Sequence, residues 1–171
     1  MRIMRYFLVI TVMMTATLGL SLRVGAQGVG IAEASSPLSD AKWNRRILFI
    51  CTAIDEPESA PFMQAQYDRV DWAGFLDRDL MVVWATQNDL TSITPHPHPT
   101  KAATLAWMYH EPQDANLLKR TSCSGEDNFV ALIGKDGGVK ARWDNAVSNE
   151  DLFAIIDAMP MRQSEMRAAE D

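Results

Sequence analysis

Three apolar runs of strand length constrain the fold of this chain more than any other feature of its sequence. Each is continuous rather than alternating, and they are Ile47–Cys51, Leu80–Ala85 and Phe129–Ile133. A short, continuous apolar run is typical of a strand that is buried on both faces of its sheet. The sequence therefore predicts an α/β domain with these three runs inside its sheet.

Helical periodicity occupies the interval between the first two runs. Residues 60–71 are predicted to form a helix, which residues 72–76 extend. The apolar residues that recur there at helical spacing are Phe62, Met63, Tyr67 and Val70. A strand, a helix and a strand in this order form a right-handed parallel unit.

The segment Gly134–Gly138, with the sequence GKDGG, joins the third run to a predicted fourth strand, Val139–Trp143. It differs from a nucleotide-binding loop because no serine or threonine follows its lysine and a strand, not a helix, comes next. Asp-Gly between two apolar runs is instead a strong hairpin signal, since glycine accepts positive φ. The sequence predicts an antiparallel hairpin here.

The last predicted element is a helix that begins after Ser148, a good N-cap, and has acids in its first turn, where the helix dipole favours them. Pro160 ends its regular pattern, and residues 161–171 are predicted to be a polar tail, with a further helical turn as the alternative. The apolar face of this helix consists of Leu152, Phe153, Ile155, Ile156 and Met159.

Residues 87–100 show no clear periodicity, and we interpret residues 87–112 as an insertion. Because proline cannot donate a hydrogen bond to a sheet, we expect neither a helix nor a central strand around the prolines of this segment. Residues 104–109 fit a short strand or a helix, and residues 113–120 fit a short helix. The prolines are Pro95, Pro97 and Pro99.

The predicted order β-α-β-α-β-β-α is that of the thioredoxin-like fold. The motifs LIGKDGGVKARWD and VSNEDLFAIIDAMPMR resemble the bacterial domain-of-unknown-function family 4174, which is related to a domain of extracellular sushi-repeat and coiled-coil-domain proteins. The resemblance covers residues 129–167 and, less closely, residues 38–85. It implies a thioredoxin-like domain over residues 38–160, with helices packed on a four-stranded mixed sheet, and it implies no established activity.

The N-terminus has the pattern of a secretory signal peptide. Two arginines precede an apolar stretch at residues 6–22, and the small residues of Val24-Gly25-Ala26 resemble a cleavage site. An uncleaved membrane anchor is the alternative, although such a stretch is at the short limit for a span. We expect residues 1–26 to be removed, residues 27–37 to form a tether, and the protein to be exported to a bacterial periplasm.

The charge of the chain limits its partners. It has 16 basic and 22 acidic residues, and loss of Arg2, Arg5 and Arg23 with the signal peptide would leave 13 against 22, a net charge of −9. Nucleic acids and anionic lipids require a basic surface. We therefore expect no nucleic acid and, after cleavage, no membrane as partner, and instead an unidentified protein or small ligand.

Cys51 and Cys123 are the two cysteines of the chain. An exported protein meets an oxidising compartment, which allows a disulfide between them. Such a bond would close a long loop and stabilise the fold by about 4 kcal/mol in the chain-entropy model. Two separate buried thiols are the alternative.

A thioredoxin-like fold raises the question of thiol chemistry. Enzymes of this fold carry a C-x-x-C motif where the first strand meets the first helix, whose N-terminus lowers the pKa of the thiol. In this chain that place is Thr52–Ser59, TAIDEPES, which contains no cysteine. Disulfide exchange through C-x-x-C is therefore excluded, and a redox pair made of Cys51 and Cys123 is the alternative that survives.

The three histidines fall close together, with His96 and His98 in the sequence PHPHP and His110 shortly after. A His-x-His segment can offer two imidazoles to a metal ion, and His110 or Glu111 would add a third ligand. Alternate prolines, however, favour a polyproline II conformation in which the two imidazoles diverge. The alternative is an exposed loop with solvated histidines.

One basic cluster stands out in the acidic chain: Lys135, Lys140 and Arg142. Lys140 and Arg142 share a sheet face, which suits either an anionic partner or the protection of an edge strand. The sequence indicates no catalytic residue and no cofactor. We expect a non-catalytic thioredoxin-like binding or structural module, with thiol redox or metal binding as the alternatives.

Overall fold

The computed structural model describes residues 36–53, 61–86, 88–98, 104–124 and 126–170. The predicted signal peptide and most of the predicted tether lie outside these residues. The elements in chain order are β1 (Arg46–Cys51), α1 (Pro61–Tyr67), α2 (Trp72–Asp77), β2 (Leu80–Ala85), β3 (Leu90–Pro97), β4 (Thr104–His110), α3 (Ala115–Thr121), β5 (Phe129–Ile133), β6 (Val139–Trp143), α4 (Asn149–Asp157) and α5 (Pro160–Glu170).

The strands form one mixed sheet in the order β4-β3-β2-β1-β5-β6. β1 pairs in parallel with β2 and antiparallel with β5, and β5 pairs antiparallel with β6. The three apolar runs are therefore adjacent strands inside the sheet. Every residue of β1, β2 and β5 is buried, which confirms the prediction of strands covered on both faces.

The two faces of the sheet carry separate hydrophobic cores, because successive strand residues point to opposite sides. The first core packs against α1, α2 and α4, and the second against α3 and the turn that precedes β1. Central residues of the first core are Leu48, Val82, Leu132, Phe75 and Leu152. Central residues of the second are Phe49, Val83, Ala131, Leu117 and Ala41.

Within the described residues the sheet has six strands, not the predicted four. The segment interpreted as an insertion forms the antiparallel hairpin β3–β4, which extends the sheet beyond β2. The expectation that its prolines exclude an interior strand is wrong, and the register gives the reason. The ladder to β2 ends at Ile93, and Pro95 and Pro97 lie beyond it, where β3 pairs with β4 alone. Proline is tolerated at such a local edge.

Residues 61–77 form two helices, whereas a single helix is predicted there. The break lies at Asp71, whose backbone is extended and whose side chain accepts a hydrogen bond from the Ala73 N–H at the start of α2. Aspartate favours such capping positions over helix interiors, since its short side chain competes for backbone hydrogen bonds. Among the helices of the described segments, none combines the length and apolarity that crossing a membrane requires.

The predicted hairpin at Gly134–Gly138 is confirmed. Gly137 has a φ of +82°, and its N–H donates to the Gly134 carbonyl at 2.8 Å. The Asp136 carboxylate accepts a hydrogen bond from the Gly138 N–H at 3.0 Å. The segment therefore turns the chain through the positive-φ conformation that glycine permits.

Residues 160–170, where a polar tail is expected, form helix α5, and ion pairs attach it to the sheet. Its Glu165 accepts hydrogen bonds from Arg46, at 3.1–3.2 Å, and from Lys135, at 2.7 Å. Its Arg162 donates to the Asp77 carbonyl at 2.8 Å. Because Arg46 is 1% exposed, these contacts pair the charge of a cation that the fold has removed from water, although its Nε has no hydrogen-bond partner among the described residues.

Candidate functional site

Cys51 and Cys123 form a disulfide, with an S–S distance of 2.06 Å. Cys51 is the last residue of β1 and is fully buried, and Cys123, between α3 and β5, is 9% exposed. The bond lies in the second core and ties β1 to the segment that leads into β5. The alternative of two separate thiols is therefore wrong.

The burial of this disulfide bears on its chemistry. Thiol–disulfide exchange begins when a thiolate attacks one of the two sulfurs, so it needs access to them. Here both cysteines are packed among apolar side chains of the second core. Its buried position is therefore that of a structural cross-link. Residues 54–59, part of the segment whose sequence lacks C-x-x-C, lie outside the described residues.

The histidines are spread along the hairpin β3–β4. The register separates His96 from His110 by five positions along β3, which is roughly 16 Å at the usual rise of a strand. His110 lies 3.8 Å from the Asp89 carboxylate. Across the described residues, no three side chains of His, Cys, Asp or Glu are grouped so that they could hold a metal ion. Metal binding through His96, His98 and His110 stays a prediction from the sequence.

The two lysines of the predicted basic cluster have carboxylate partners. The Lys135 ammonium is 2.7 Å from both Asp79 and Glu165 and is mostly buried. The Lys140 ammonium is 2.6 Å from the Asp136 carboxylate. Their charges are therefore largely neutralised within the fold.

Arg142 lies on β6 and packs against the second core. Its guanidinium is 3.5 Å from the centroid of the Phe129 ring and donates a hydrogen bond to the Thr121 carbonyl at 3.1 Å. These contacts give it a structural role. An anion-binding face made of Lys135, Lys140 and Arg142 stays a prediction.

A cleft of about 490 Å³ lies between the segment that precedes β1 and the hairpin β3–β4. We call it the hairpin cleft. It lies near Arg45, the residue directly before β1, and so about 20 Å from Cys51 at the usual strand rise. Its lining residues are Ser36, Pro37, Asp40 and Arg45 from the first segment and Thr94, His96, Tyr109 and His110 from the hairpin.

Arg45 and His96 both line the hairpin cleft, and the positive charge of Arg45 acts on the imidazole. Burial and then the positive charge of Arg45 lower the pKa of His96, which keeps the imidazole neutral near pH 7. The guanidinium of Arg45 is half-buried, and within the described residues it makes no hydrogen bond or ion pair. The cleft thus contains a cation that the fold itself does not neutralise.

Two buried side-chain oxygens, one on β3 beside the hairpin cleft and one on the residue that follows β4, have no hydrogen-bond partner in the described part of the chain. They are Oγ1 of Thr94, which is 2% exposed, and Oε2 of Glu111. The other oxygen of Glu111 accepts hydrogen bonds from the Leu38 N–H at 3.2 Å and the Ser92 hydroxyl at 2.5 Å. Unpartnered buried polar atoms destabilise a fold, so Thr94 and Glu111 require an explanation beyond packing.

Aromatic rings line the hairpin side of the cleft. The imidazole of His96 stacks on the indole of Trp107, with ring centroids 4.3 Å apart, and Tyr109 also lines the cleft. Trp107 is 51% exposed, so one part of this aromatic surface is accessible to solvent. Flat rings beside a few convergent polar groups are typical of sites that bind small molecules.

Sequence reasoning missed Arg45, Thr94 and Tyr109, and it selected His96 for a different reason. Arg45 and Arg46 are adjacent and look equivalent in the sequence, but Arg46 is buried and paired with Glu165. The difference arises because consecutive residues of a strand point to opposite faces. The alternation of side chains from Arg45 into β1 is a usable signal, but the burial of each sheet face is needed to interpret it.

Residues 37–165 match the family described as Domain of unknown function (DUF4174). No curated protein and no solved structure matches the chain. The matched range includes all six strands of the sheet and the residues of the hairpin cleft from Pro37 onward. The chain therefore belongs to the DUF4174 family.

Proposed function

We propose that this chain is an exported, non-catalytic binding module with a thioredoxin-like sheet. One observation carries the proposal: both cysteines of the chain are bonded to each other inside the second core. A thioredoxin-like enzyme needs an accessible thiolate, usually beside a helix N-terminus. This chain has neither a third cysteine nor a C-x-x-C motif.

The strand pairing supports the thioredoxin-like part of the proposal. In that fold a β-α-β unit is followed by an antiparallel hairpin and a final helix that packs on the sheet. Here β1 and β2 are parallel, β5–β6 is an antiparallel hairpin next to β1, and α4 packs against the first core. In this interpretation the hairpin β3–β4 is an addition at the β2 edge.

Export is supported by the N-terminal sequence and by the disulfide. A charged start, an apolar stretch and small residues before Gln27 form a signal-peptide pattern. Structural disulfides persist in oxidising compartments such as the bacterial periplasm, and they are rare in the cytosol. The intact mass of the protein recovered from a periplasmic extract tests this directly. A chain that begins at Gln27 is expected, and an unprocessed cytosolic chain would contradict export.

The binding role is supported by the hairpin cleft. Its volume of about 490 Å³ falls within the usual range for small-molecule sites, roughly 300–1,000 Å³. It combines an unneutralised guanidinium at Arg45 with the rings of His96 and Tyr109, which line the hairpin side. Such features recognise and orient a ligand without requiring a chemical step.

Thiol labelling of the full chain tests the non-catalytic proposal. In native buffer, with or without a mild dithiol reductant, we expect no labelled cysteine, because both sulfurs are buried. After unfolding in denaturant with reductant, two labels are expected. The variant Cys51→Ala/Cys123→Ala serves as the zero-label control. Rapid reduction of the native protein, together with catalysed reduction of a disulfide substrate, would overturn the proposal.

A further inference from the structure

We propose that the hairpin cleft binds an oxyanion, namely the carboxylate or phosphate group of a small ligand. Arg45 would provide the charge, and the Thr94 hydroxyl would provide a neutral donor. The proposal deepens the binding role proposed above and rests on it.

The state of Arg45 is the first argument. The chain has 22 acidic residues, and the two most deeply buried arginines, Arg46 and Arg162, both form ion pairs with carboxylates. Arg45 is half-buried and has no such partner in the described part of the chain. Removing a guanidinium from water without pairing it is unfavourable. An external anion in the cleft would supply the missing partner.

The geometry of the guanidinium favours an oxyanion over a simple halide. A guanidinium presents parallel N–H donors that match two oxygens of a carboxylate or phosphate. The neutral imidazole of His96 lies on the opposite wall and stacks on Trp107. His96 and Tyr109 line the cleft and offer flat ring surfaces to the body of a ligand whose charged group is held by Arg45.

Thr94 is the second argument. It lines the cleft, it is 2% exposed, and its Oγ1 finds no hydrogen-bond partner among the described residues. A hydroxyl can donate one hydrogen bond, and an anion is the strongest acceptor for it. Valine would fill the same space without this cost, so an unused buried hydroxyl at this place indicates a role in binding.

Asp40 also lines the cleft and opposes the binding of an anion. Asp40, however, has interactions of its own within the chain. The guanidinium of Arg45 makes no hydrogen bond or ion pair within the described residues, so it is the charged group in the cleft that an external anion can pair with.

An NMR titration of the full chain with benzoate and with inorganic phosphate, at constant ionic strength, tests the proposal. We expect saturable shifts of the signals of Arg45, Thr94 and His96. Arg45→Gln is expected to weaken binding about tenfold or more, as for loss of a hydrogen bond to a charged group. Lys119→Gln removes the same charge from an exposed position on α3 and should leave affinity unchanged. Equal weakening by both substitutions, or no saturable shift with either probe, would overturn the proposal.

Thr94→Val separates a binding role from a structural one. Because the hydroxyl has no partner in the free protein, we expect the melting temperature to stay the same or rise. Affinity for the better of the two probes should fall severalfold. A lower melting temperature with unchanged affinity would show that the hydroxyl is structural and would remove it from the site.

Benzamide, a neutral analogue of benzoate, distinguishes binding in the cleft from recognition of an oxyanion. If it binds the cleft as tightly as benzoate does, the cleft is a binding site but the oxyanion assignment is wrong. The non-catalytic role is decided separately by thiol labelling, so failure of either proposal can be recognised without the other.

Discussion

The two hairpins on either side of the central strands, β5–β6 and β3–β4, differ in what holds them in place. In β5–β6 the strand β5 is entirely apolar and buried, it pairs with β1, and a glycine turn leads into β6. In β3–β4 the buried residues of β3 include the polar Thr91, Ser92 and Thr94, and β4 is mostly exposed. The first hairpin is specified by burial of apolar surface, whereas the second contains polar groups that the fold does not fully satisfy.

This difference separates the part of the sheet that provides stability from the part that carries the candidate site. Apolar burial is the main favourable contribution to folding, and β5 contributes to both cores. The hairpin β3–β4 contributes Thr94, His96 and Tyr109 to the cleft. Functional sites are commonly places where local stability is sacrificed. Substitutions in the two hairpins should therefore have different effects.

The largest effect is expected from removal of the disulfide that supports the β5 side. Cys51→Ala/Cys123→Ala should lower the free energy of unfolding by about 4 kcal/mol, since the bond closes a loop of 72 residues. Urea denaturation of the variant and the wild type measures the difference. The NMR signals of His96 in the folded variant should stay unchanged. A loss below about 1 kcal/mol would show that the bond does little to restrict the unfolded chain.

A matched pair of leucines compares the two hairpins directly. Leu132 on β5 is fully buried, and Leu105 on β4 is 41% exposed. Leu132→Ala should cost about 3 kcal/mol because it leaves a cavity in the first core. Leu105→Ala should cost less than about 1 kcal/mol, since much of its side chain already contacts water. Equal losses in urea denaturation would contradict the proposed division between the hairpins.

The glycine turn of β5–β6 offers a test of smaller size. Gly137 has a φ of +82°, which is unfavourable for a residue with a Cβ, so Gly137→Ala should cost about 1–2 kcal/mol. Gly138 does not have a positive φ, and a Cβ there would meet its nearest atom at 3.4 Å. Gly138→Ala should therefore be close to neutral. Thermal unfolding of the two variants provides the comparison, and equal destabilisation would show that the turn does not depend on positive φ.

The smallest expected effect is a loss of folding stability at acidic pH, which depends on His96 of the hairpin β3–β4. Burial and the charge of Arg45 lower the pKa of His96 in the folded state, so the unfolded chain binds its proton more readily. The contribution of His96 to stability is complete above the ordinary histidine pKa and decreases as pH falls through that value towards the lowered pKa. His96→Gln should reduce this dependence between about pH 7 and pH 5. An identical pH profile for the variant would show that His96 titrates normally.

Local signals were sufficient to predict β5–β6. The bounds Phe129–Ile133 and Val139–Trp143 agree with the structure to the residue, because an apolar run, a glycine turn and a second strand are all recorded in adjacent positions. The parallel pairing of β1 with β2 was also predicted, from the helical segment between them.

Non-local information was needed for β3–β4. The prediction that prolines exclude a central strand assumes that a strand containing Pro95 and Pro97 has neighbours on both sides along its whole length. The end of the β2 ladder at Ile93, which only the assembled sheet reveals, makes those positions acceptable. The hairpin cleft was not predicted because Arg45 and His96 are distant in sequence and are brought together by strand pairing across the sheet.

The position of β1 in the sheet has a consequence for how the chain folds. Arg46 pairs with Leu80, 34 positions later, but Ile47 pairs with Ile133, 86 positions later. Contacts between such distant positions form slowly, because a long loop must close before they are made. During synthesis β1 therefore lacks one of its neighbours until β5 has been made. An unpaired apolar strand can pair with another chain, so this interval is when the nascent protein is most prone to aggregate.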